Sequence, residues 1–394
     1  MGDPPPTIGI VTVGRSDYGI YRPLLRRLAE RRDLETTLLV GGMHFDAAFG
    51  MTVNEVRGDA LAPIIEVPFA TDGDNPAAVA ATMGRGVEAF GAAYVDRSFD
   101  LLIVLGDRCE MLAAAAAAVP FNLPLLHIHG GEMTLGAMDD AFRHAITKFS
   151  HLHAVATETY RRRVLQLGER EDRVFTVGAL SLDDVETVSE LSREVLEQRF
   201  GIDLSSPPIL VTFHPATRES RAATAQQEEL LAALDGIGAP VIFTSPNADQ
   251  GGRGLLAQLH RWLAGRPHWR LVESFGKQAY FSILRHASMM VGNSSSGLIE
   301  APSFGLPVVN IGERQSGRIR GANVVDVPCE RAAIGEALVK ADAPDFRAAA
   351  RVAGNPYWHG GATDRLLEIL ARLPARAVLL AKGFVDRPVT ETQN

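Results

Sequence analysis

Short apolar runs alternate with longer amphipathic stretches along almost the whole chain. In the first half, the strand-like runs are TIGIVTV, ETTLLVGG, APIIEVPF, DLLIVLGD, LPLLHIHGG, HLHAVATE and DRVFTVGA. Helical patterns such as GIYRPLLRRLAERR and TETYRRRVLQLGE separate them. This alternation is typical of βαβ units that build a parallel sheet.

A second series of the same kind begins after about Leu180. A charged helical stretch, SREVLEQRFGI, precedes the strand-like runs PPILVTFHP, APVIFTSPN, WRLVESF, ASMMVGNSS and LPVVNIG. We therefore predict an α/β protein with two doubly wound domains and a central cleft. The first domain is predicted at 1–180 and the second at 181–365. A C-terminal helix and tail at 366–394 are expected to pack back on the first domain.

The composition narrows the possible partners and locations. A formal net charge of −8 over 394 residues argues against nonspecific binding to nucleic acid or anionic membrane. The two cysteines, Cys109 and Cys329, show neither metal-site spacing nor a disulfide framework, which fits a reducing cytoplasm. No signal peptide and no apolar run long enough for a membrane span are apparent. We expect a soluble cytoplasmic protein.

Polar side chains concentrate where the predicted strands end. In doubly wound sheets, ligands bind outside the carboxyl ends of the strands. The residues at these ends are Arg15, Asp107, Arg108, His129, Glu132, His214, Asn247, Ser294 and Ser295. The same edge of each sheet is thus the predicted ligand site.

The segment LGDRCEM places Asp107 and Arg108 at the end of a buried strand. An acid at this point often caps the following helix. It can equally be a catalytic carboxylate whose pKa is tuned by the neighbouring arginine. Arg15 in VGRSDYG follows the first strand and is aimed either at solvent or at an anion beside a helix N-terminus.

The run LLHIHGGE contains two histidines in alternating positions. If the strand continues through it, His127 and His129 point to the same face, as a zinc-binding pair would. No compact set of further metal ligands accompanies them, so we expect one core histidine, one cleft histidine and no metal. The glycine pair after His129 allows a tight turn from which Glu132 emerges.

The following stretch, DDAFRHAITK, is predicted to be helical. It places Asp139 with Arg143, and Asp140 with His144, on shared helix faces. Several carboxylates in one cleft repel one another, and this raises pKa values toward the range that general acid–base catalysis needs. The carboxylates expected to converge are Asp107, Glu132 and Asp139.

The second half offers a complementary set of groups. His214 follows a strand in LVTFHPAT, where it is either structural or in contact with a diphosphate. The run GNSSSG precedes a helix, and free N–H groups at a helix start suit a phosphate. Glu300 lies further into that helix, where its carboxylate can accept from ribose hydroxyls. Arg314 follows the next strand.

Together these motifs resemble the hydrolysing UDP-N-acetylglucosamine 2-epimerases of sialic-acid and related nonulosonate biosynthesis. The resemblance runs from about Ile8 to Leu370. It is carried by GRSDYG, LGDRCEM, HIHGGEMTLGAMDDAFRHAITKFSHLH, RRVLQLGE, FHPAT, PNAD, GNSSSGLIEAPSFGLPVVNIGERQSGR and NPYW. It implies a glycosyltransferase-B-like fold with two Rossmann-type domains, a homodimer or tetramer, and neither a metal nor a nicotinamide cofactor.

The resemblance also implies residue roles. The implied catalytic residues are Asp107, Glu132, Asp139 and His214. The implied substrate-binding residues are Arg15, Arg108, Arg143, Asp140, Asn247, Ser294, Ser295, Glu300 and Arg314. The implied reaction eliminates UDP from UDP-N-acetylglucosamine to give a 2-acetamidoglucal, which water then converts to N-acetylmannosamine.

Several alternatives remain open at this level. The same reaction on UDP-2,4-diacetamido-2,4,6-trideoxyglucose, in a legionaminic-acid pathway, would use the same motifs. A non-hydrolysing epimerase would return the UDP-linked epimer, and a glycosyltransferase of the same fold would require an acceptor. A metal-dependent hydrolase and a noncatalytic nucleotide-sugar sensor explain fewer of the motifs.

Overall fold

The computed structural model describes residues 4–71, 73, 75–135, 138–214, 223–245 and 252–388. The strands are β1 Thr7–Thr12, β2 Glu35–Gly41, β3 Ile64–Val67, β4 Leu101–Leu105, β5 Leu125–Ile128, β6 Leu152–Val155, β7 Val174–Thr176, β8 Ile209–Thr212, β9 Val241–Thr244, β10 Trp269–Val272, β11 Met289–Gly292, β12 Val308–Ile311 and β13 Val324–Val327. None of the helices in these ranges has both the length and the apolar character needed to cross a lipid bilayer.

Helices connect the strands. The α-helices are α1 Arg15–Ala29, α2 Val53–Asp59, α3 Pro76–Tyr94, α4 Cys109–Ala118, α5 Met138–Phe149, α6 Glu158–Gln166, α7 Arg193–Phe200, α8 Ala223–Leu234, α9 Gly252–Leu263, α10 Gly276–His286, α11 Ser296–Ile299, α12 Arg331–Asp342, α13 Pro344–Val352, α14 Ala362–Ala371 and α15 Arg376–Leu380. Short 3-10 segments lie at Gly42–Phe45, Ala47–Phe49, Val119–Phe121, Glu171–Arg173, Leu180–Leu182 and Ala301–Phe304.

Local sequence explains where several helices begin and end. The side chain of Asn75 accepts a hydrogen bond from the N–H of Ala78 at 3.0 Å, and Pro76 occupies the first turn of α3. Ser192 caps α7 in the same way, and Gly201, at φ +62°, ends it. Each of these signals lies within a few residues of the helix end that it sets.

The chain forms two compact units. Unit 1 comprises 1–132, 138–183 and 359–394, and unit 2 comprises 133–137 and 184–358. The first boundary lies three residues beyond the predicted 180, and the second lies before the predicted 365. The described residues 359–388 are grouped with unit 1.

Both sheets are parallel and share one topology. The strand order is β3-β2-β1-β4-β5-β6-β7 in unit 1 and β10-β9-β8-β11-β12-β13 in unit 2. Each order reverses direction at one point, between β1 and β4 in the first sheet and between β8 and β11 in the second. The crevice at such a reversal is where doubly wound sheets bind ligands.

Strand β13 is the element that the sequence pattern missed. It pairs with β12 at the edge of the second sheet, and each of its four residues is at least partly exposed. A half-exposed edge strand lacks the continuous apolar run that marks the buried strands.

The cores lie on the faces of the sheets. Unit 1 has one apolar cluster, which includes the β1 residues Ile8 and Ile10. In unit 2, Ile209 and Val211 of β8 face one cluster, while Leu210 faces another on the opposite side. This alternation buries both faces of the sheet and holds the strand ends in a fixed register.

Helix α14 completes the first core although it comes late in the chain. Its buried residues include Leu366 and Leu370, which join the unit 1 cluster. The carboxylate of Asp183 accepts from the N–H of Ala362 at 2.9 Å and from the N–H of Thr363, and so caps the helix.

Candidate active site

Asp107, just after the end of β4, binds a residue of helix α5. Asp107 forms an ion pair with Arg143 of α5, whose side chain is 2% exposed. Arg108, and not Asp107, occupies the N-cap position of α4. The capping interpretation of Asp107 is therefore wrong. A buried arginine paired with a carboxylate forms strong, directional hydrogen bonds, which fixes the Asp107 oxygens in place.

Helix α5 carries the remaining acidic groups of this region in its first turn. The Oδ2 atom of Asp140 lies 3.7 Å from Nε2 of His144, which confirms the predicted pair. The Oδ1 atom of Asp140 lies 4.0 Å from Nη1 of Arg143. Burial, the charge of Glu110 and, more weakly, the charge of Asp139 raise the pKa of the Cys109 thiol to about 12.

A buried histidine connects the end of β4 with α5. His127 is fully buried, and its Nε2 lies 2.8 Å from the carbonyl oxygen of Gly106 and its Nδ1 lies 3.0 Å from the Thr147 hydroxyl. A carbonyl only accepts, so Nε2 carries the proton and Nδ1 accepts from Thr147. Burial lowers the pKa of His127 to about 3, and the ring is neutral. It is the core histidine that the sequence predicts.

The expectation that His127 and His129 share a strand face is wrong. Strand β5 ends at Ile128, and His129 adopts a left-handed backbone conformation with φ +64°. Few residues other than glycine adopt such a conformation without a specific constraint. His129 therefore leaves the sheet at its carboxyl edge.

The turn after β5 brings His129 back onto an acid. The Nδ1 atom of His129 lies 2.6 Å from Oε1 of Glu132, and their side chains are 11% and 4% exposed. The turn is compact because a Cβ atom on Gly131, at φ +74°, would approach the carbonyl oxygen of Tyr160 to 2.5 Å. Glu132 thus emerges from the turn as expected, and its carboxylate binds the imidazole.

The first turn of α1, which follows β1, contains a buried acid that the sequence analysis did not single out. Arg15 begins α1 and is exposed, whereas Asp17 is 4% exposed. The Asp17 carboxylate accepts from the N–H of Val13 at 2.7 Å and from the Thr12 hydroxyl at 3.1 Å. Burial raises the pKa of Asp17 to about 6, although the Val13 hydrogen bond and the positive charge of Arg108 oppose the rise.

Arg108 is held beside this acid by a second carboxylate. Its Nε lies 3.3 Å from Oε2 of Glu110, and the two side chains are 39% and 4% exposed. Burial alone would raise the pKa of Glu110, but the charge and hydrogen bond of Arg108, a backbone hydrogen bond and a hydrogen bond from Cys109 together outweigh burial and leave the pKa below its usual value. The cation at the end of β4 is therefore partly neutralised and fixed in direction.

Unit 2 has its own polar cluster at the ends of β8 and β11. Asn293 receives a hydrogen bond from the N–H of His214 at 2.7 Å and donates one to the His214 carbonyl at 2.9 Å. Gly292, at φ +136°, allows this approach, since a Cβ atom there would lie 2.0 Å from the carbonyl oxygen of Thr212. Burial, and secondarily the positive charge of Arg314, lowers the pKa of His214 to about 3. The imidazole is neutral at pH 7.

The serine run leads into a short helix. Ser295 is the N-cap of α11, which spans a single turn and ends before Glu300. Arg314 follows β12 and donates from Nη1 to the carbonyl oxygen of Asn293 at 3.1 Å. Ser294, Ser295, Glu300 and Arg314 are all partly exposed. The structure thus brings His214 and Arg314 to Asn293, next to Ser294 and Ser295 in the chain. Glu300 follows the last residue of α11, so its predicted place inside that helix is wrong. Asn247 lies outside the described residues.

Three features were not recognised in the sequence. Asp17 belongs to the GRSD motif, but only the fold reveals that it is buried. Asn293 was visible as part of GNSSSG, yet its double contact with His214 joins segments 79 residues apart. The His129–Glu132 pair depends on the turn geometry. In the described ranges, no group of three or more histidine, cysteine, aspartate or glutamate side chains is arranged to hold a metal ion.

Comparison with known proteins identifies the family. A family model described as UDP-N-acetylglucosamine 2-epimerase matches residues 26–371. The hydrolysing UDP-N,N'-diacetylbacillosamine 2-epimerase of Legionella pneumophila is 35% identical over 373 residues, which cover 94% of this chain and 97% of that protein. Polysialic acid biosynthesis protein P7 of Escherichia coli is 35% identical over 97% of this chain and 98% of its own. The hydrolysing GDP/UDP-N,N'-diacetylbacillosamine 2-epimerase of Campylobacter jejuni is 33% identical, with 96% and 98% covered.

A solved structure shows the same fold at lower identity. It is the UDP-GlcNAc 2-epimerase of Neisseria meningitidis bound to UDP-GlcNAc, with a TM-score of 0.79, 18% identity, and coverage of 93% of this chain and 100% of that chain. The two parallel-sheet units are those of a glycosyltransferase-B-like fold. Because the family model and the relatives align over nearly the whole chain, this protein is an enzyme of the UDP-N-acetylglucosamine 2-epimerase family.

Proposed function

We propose that the protein is a hydrolysing 2-epimerase that converts UDP-2,4-diacetamido-2,4,6-trideoxyglucose and water into UDP and the free sugar inverted at C2. N,N'-diacetylbacillosamine is this same 2,4-diacetamido-2,4,6-trideoxy sugar, and the names of the Legionella and Campylobacter relatives support the choice. UDP-N-acetylglucosamine, which the sequence motifs suggested first, is the second candidate. The family description favours it.

One observation carries the proposal. Three carboxylates lie at one sheet edge of unit 1: Asp107 after β4, Glu132 in the turn after β5, and Asp139 in the first turn of α5. An elimination that removes a C2 proton and a hydration that returns one both need groups of this kind. A glycosyl transfer to an acceptor involves no proton exchange at C2 and so does not explain this set of three carboxylates.

The chemistry assigns at least two roles at C2. In the first half-reaction, a carboxylate takes the C2 proton, the C2–H electron pair forms the C1=C2 bond, and the C1–O bond breaks with its pair leaving on UDP. In the second, a proton adds to C2 on the opposite face while water adds to C1. We assign Asp107 and Asp139 to the two faces of C2 and Glu132 to the hydration step.

The leaving group requires a different environment. Loss of UDP is favoured where positive charge and hydrogen-bond donors surround the diphosphate. We assign Arg15, Arg108 and Arg143 of unit 1 to the sugar-phosphate region. The unit 2 residues are assigned to UDP: His214, Asn247, Ser294, Ser295, Glu300 and Arg314, with the neutral His214 donating a hydrogen bond rather than a charge. Asp140 is assigned to the sugar.

Proton NMR in D2O tests the proposal directly. The protein is incubated with each of the two UDP-sugars in separate tubes, without added metal. The expected result is UDP together with a free 2-epimer that carries deuterium at C2, formed faster from the diacetamido substrate. Faster turnover of UDP-N-acetylglucosamine would retain the reaction and change the substrate. Formation of a UDP-linked epimer, or no C2 exchange with either sugar, would refute the hydrolysing reaction.

A further inference from the structure

The turn after β5 pairs a histidine and a glutamate in a way that the assigned roles do not use. His129 and Glu132 are joined at 2.6 Å through Nδ1 and Oε1. The Glu132 carboxylate oxygen accepts the hydrogen bond, so in the tautomer that makes this contact Nδ1 carries the proton. The other ring nitrogen, Nε2, then bears a lone pair and acts as a proton acceptor.

That second nitrogen is buried and has no hydrogen-bond partner within the part of the chain that the structure describes. A buried polar atom left unpaired costs about 1–3 kcal/mol, and native proteins rarely accept this cost without a reason. The ring also sits on a backbone in the left-handed region, which adds a further cost. Strain and unpaired polar atoms at one residue are typical of functional sites.

The position of His129 supplies the reason. Its N–H donates to the carbonyl oxygen of Ala154 on β6, and the preceding Ile128 carbonyl accepts from Gly106, next to Asp107. His129 therefore lies at the ends of neighbouring strands, on the edge of the sheet where ligands bind. A substrate water there would give Nε2 the hydrogen-bond partner that the described residues do not supply.

From this geometry we infer that His129 is a catalytic base of the hydration step and that Glu132 is a positioning residue acting through it. The inference rests on the proposed hydrolysing reaction and changes the role of Glu132 from direct to indirect. The His129–Glu132 pair is comparable to the histidine–aspartate pair of a catalytic triad, in which a buried carboxylate fixes the histidine tautomer and stabilises the imidazolium that forms.

The step balances as follows. An O–H bond of water breaks and its proton goes to His129 Nε2, while the water oxygen bonds to C1 of the glucal. The electron pair of the C1=C2 bond forms a C2–H bond with a proton from a protonated carboxylic acid, which we assign to Asp107 or Asp139. Across both half-reactions the enzyme gains one proton, which is the proton liberated when water and the UDP-sugar yield UDP, and this proton is lost to solvent.

The test separates elimination from hydration in the full-length protein. Replacing His129 with glutamine (H129Q) should slow formation of the free sugar by about 10²- to 10⁴-fold. UDP release in a single turnover should persist, so the 2-acetamidoglucal should accumulate and its vinyl proton should appear in the NMR spectrum. The dissociation constant for UDP, measured by calorimetry, should stay within about twofold of the wild-type value, since the substitution removes no group assigned to UDP.

Glu132 gives the matched comparison. Glu132→Gln should lower kcat less than H129Q does and leave KM nearly unchanged, and the double variant should be no slower than H129Q alone, because the two residues act as a unit. Imidazole added to a His129→Gly variant should restore free-sugar formation, whereas imidazole should not restore Glu132→Gln. His260→Gln, an exposed histidine on α9, serves as the control.

Any one of three results would overturn the inference. The first is that H129Q turns over within about threefold of the wild type, and the second is that Glu132→Gln is slower than H129Q. The third is that H129Q releases no UDP and forms no glucal. If the wild type itself releases no UDP from either sugar nucleotide, the proposed function fails, and that result is seen before any variant is made.

Discussion

The carboxylate of Glu169 provides a quantitative test of the electrostatics in unit 1. The Glu169 side chain is 3% exposed. Its carboxylate oxygens lie 2.5 Å from Nζ of Lys148, 2.9 Å from Nζ of Lys382 and 3.1 Å from Nε2 of His153. Burial alone would raise its pKa, but these three donors outweigh burial and lower the pKa from 4.5 to about 2. A shift of this size corresponds to about 3 kcal/mol of stability for the ionised form. We expect Glu169→Gln to destabilise unit 1 by about 2–3 kcal/mol at pH 7.

The pH dependence has a definite sign. Because the folded-state pKa lies below the unfolded value, the unfolded chain binds the extra proton between about pH 4.5 and pH 2, and stability falls as pH falls through that window. The difference between the wild type and Glu169→Gln should therefore be constant from pH 7 to pH 5. Below about pH 4.5 it should narrow by at most about 1.4 kcal/mol per pH unit.

Urea unfolding followed by two signals measures this difference. The three tryptophans, Trp262, Trp269 and Trp358, all lie in unit 2, so their fluorescence reports unit 2, while far-UV circular dichroism reports both units. Glu171→Gln is the matched control, because Glu171 is 71% exposed and its pair with Arg161 is worth about 0–1 kcal/mol. The reasoning is refuted if Glu169→Gln shifts the dichroism transition no more than Glu171→Gln does.

Three further outcomes are expected. Asn293→Ala removes both hydrogen bonds to the His214 backbone and should destabilise unit 2 by about 1–3 kcal/mol. The tryptophan fluorescence transition should then occur at a lower urea concentration, and an unchanged midpoint would contradict a stabilising role for these two hydrogen bonds. Asp107→Asn should lower kcat by at least about 10²-fold with UDP affinity nearly intact, and retention of wild-type turnover would remove Asp107 from the chemistry. Gly131→Ala forces a Cβ atom toward Tyr160 at φ +74° and should lower stability by about 1–3 kcal/mol in urea, whereas Gly58→Ala, which meets no atom within 4 Å, should not.

Much of the fold follows from the sequence because its signals are local. Twelve of the strands that the structure describes coincide with continuous apolar runs, and the pattern missed only β13, whose residues are partly exposed at a sheet edge. The candidate site residues were predicted by one rule, that ligands lie at the carboxyl ends of parallel strands. The family resemblance then implied a role for each, and these roles stay predictions.

The details that decide chemistry were less accessible. His129 continues the alternating pattern of β5, so periodicity does not predict that the backbone turns to φ +64° after Ile128. The buried state of Asp17 and the double contact between Asn293 and His214 both depend on segments that meet only in the folded unit. Periodicity describes one element at a time, whereas these contacts join two or three.

The division of unit 1 along the chain has a consequence for its synthesis. Helix α14 and the Lys382 side chain belong to unit 1, yet they follow the whole of 184–358. At about 5–20 residues per second, a ribosome needs roughly 10–35 seconds to translate that segment. During this interval the first sheet is present without the helix that closes its core, while unit 2 is nearly continuous and can finish folding first. The nascent chain is therefore most exposed to proteases and chaperones at the apolar face that Leu366 and Leu370 will later cover.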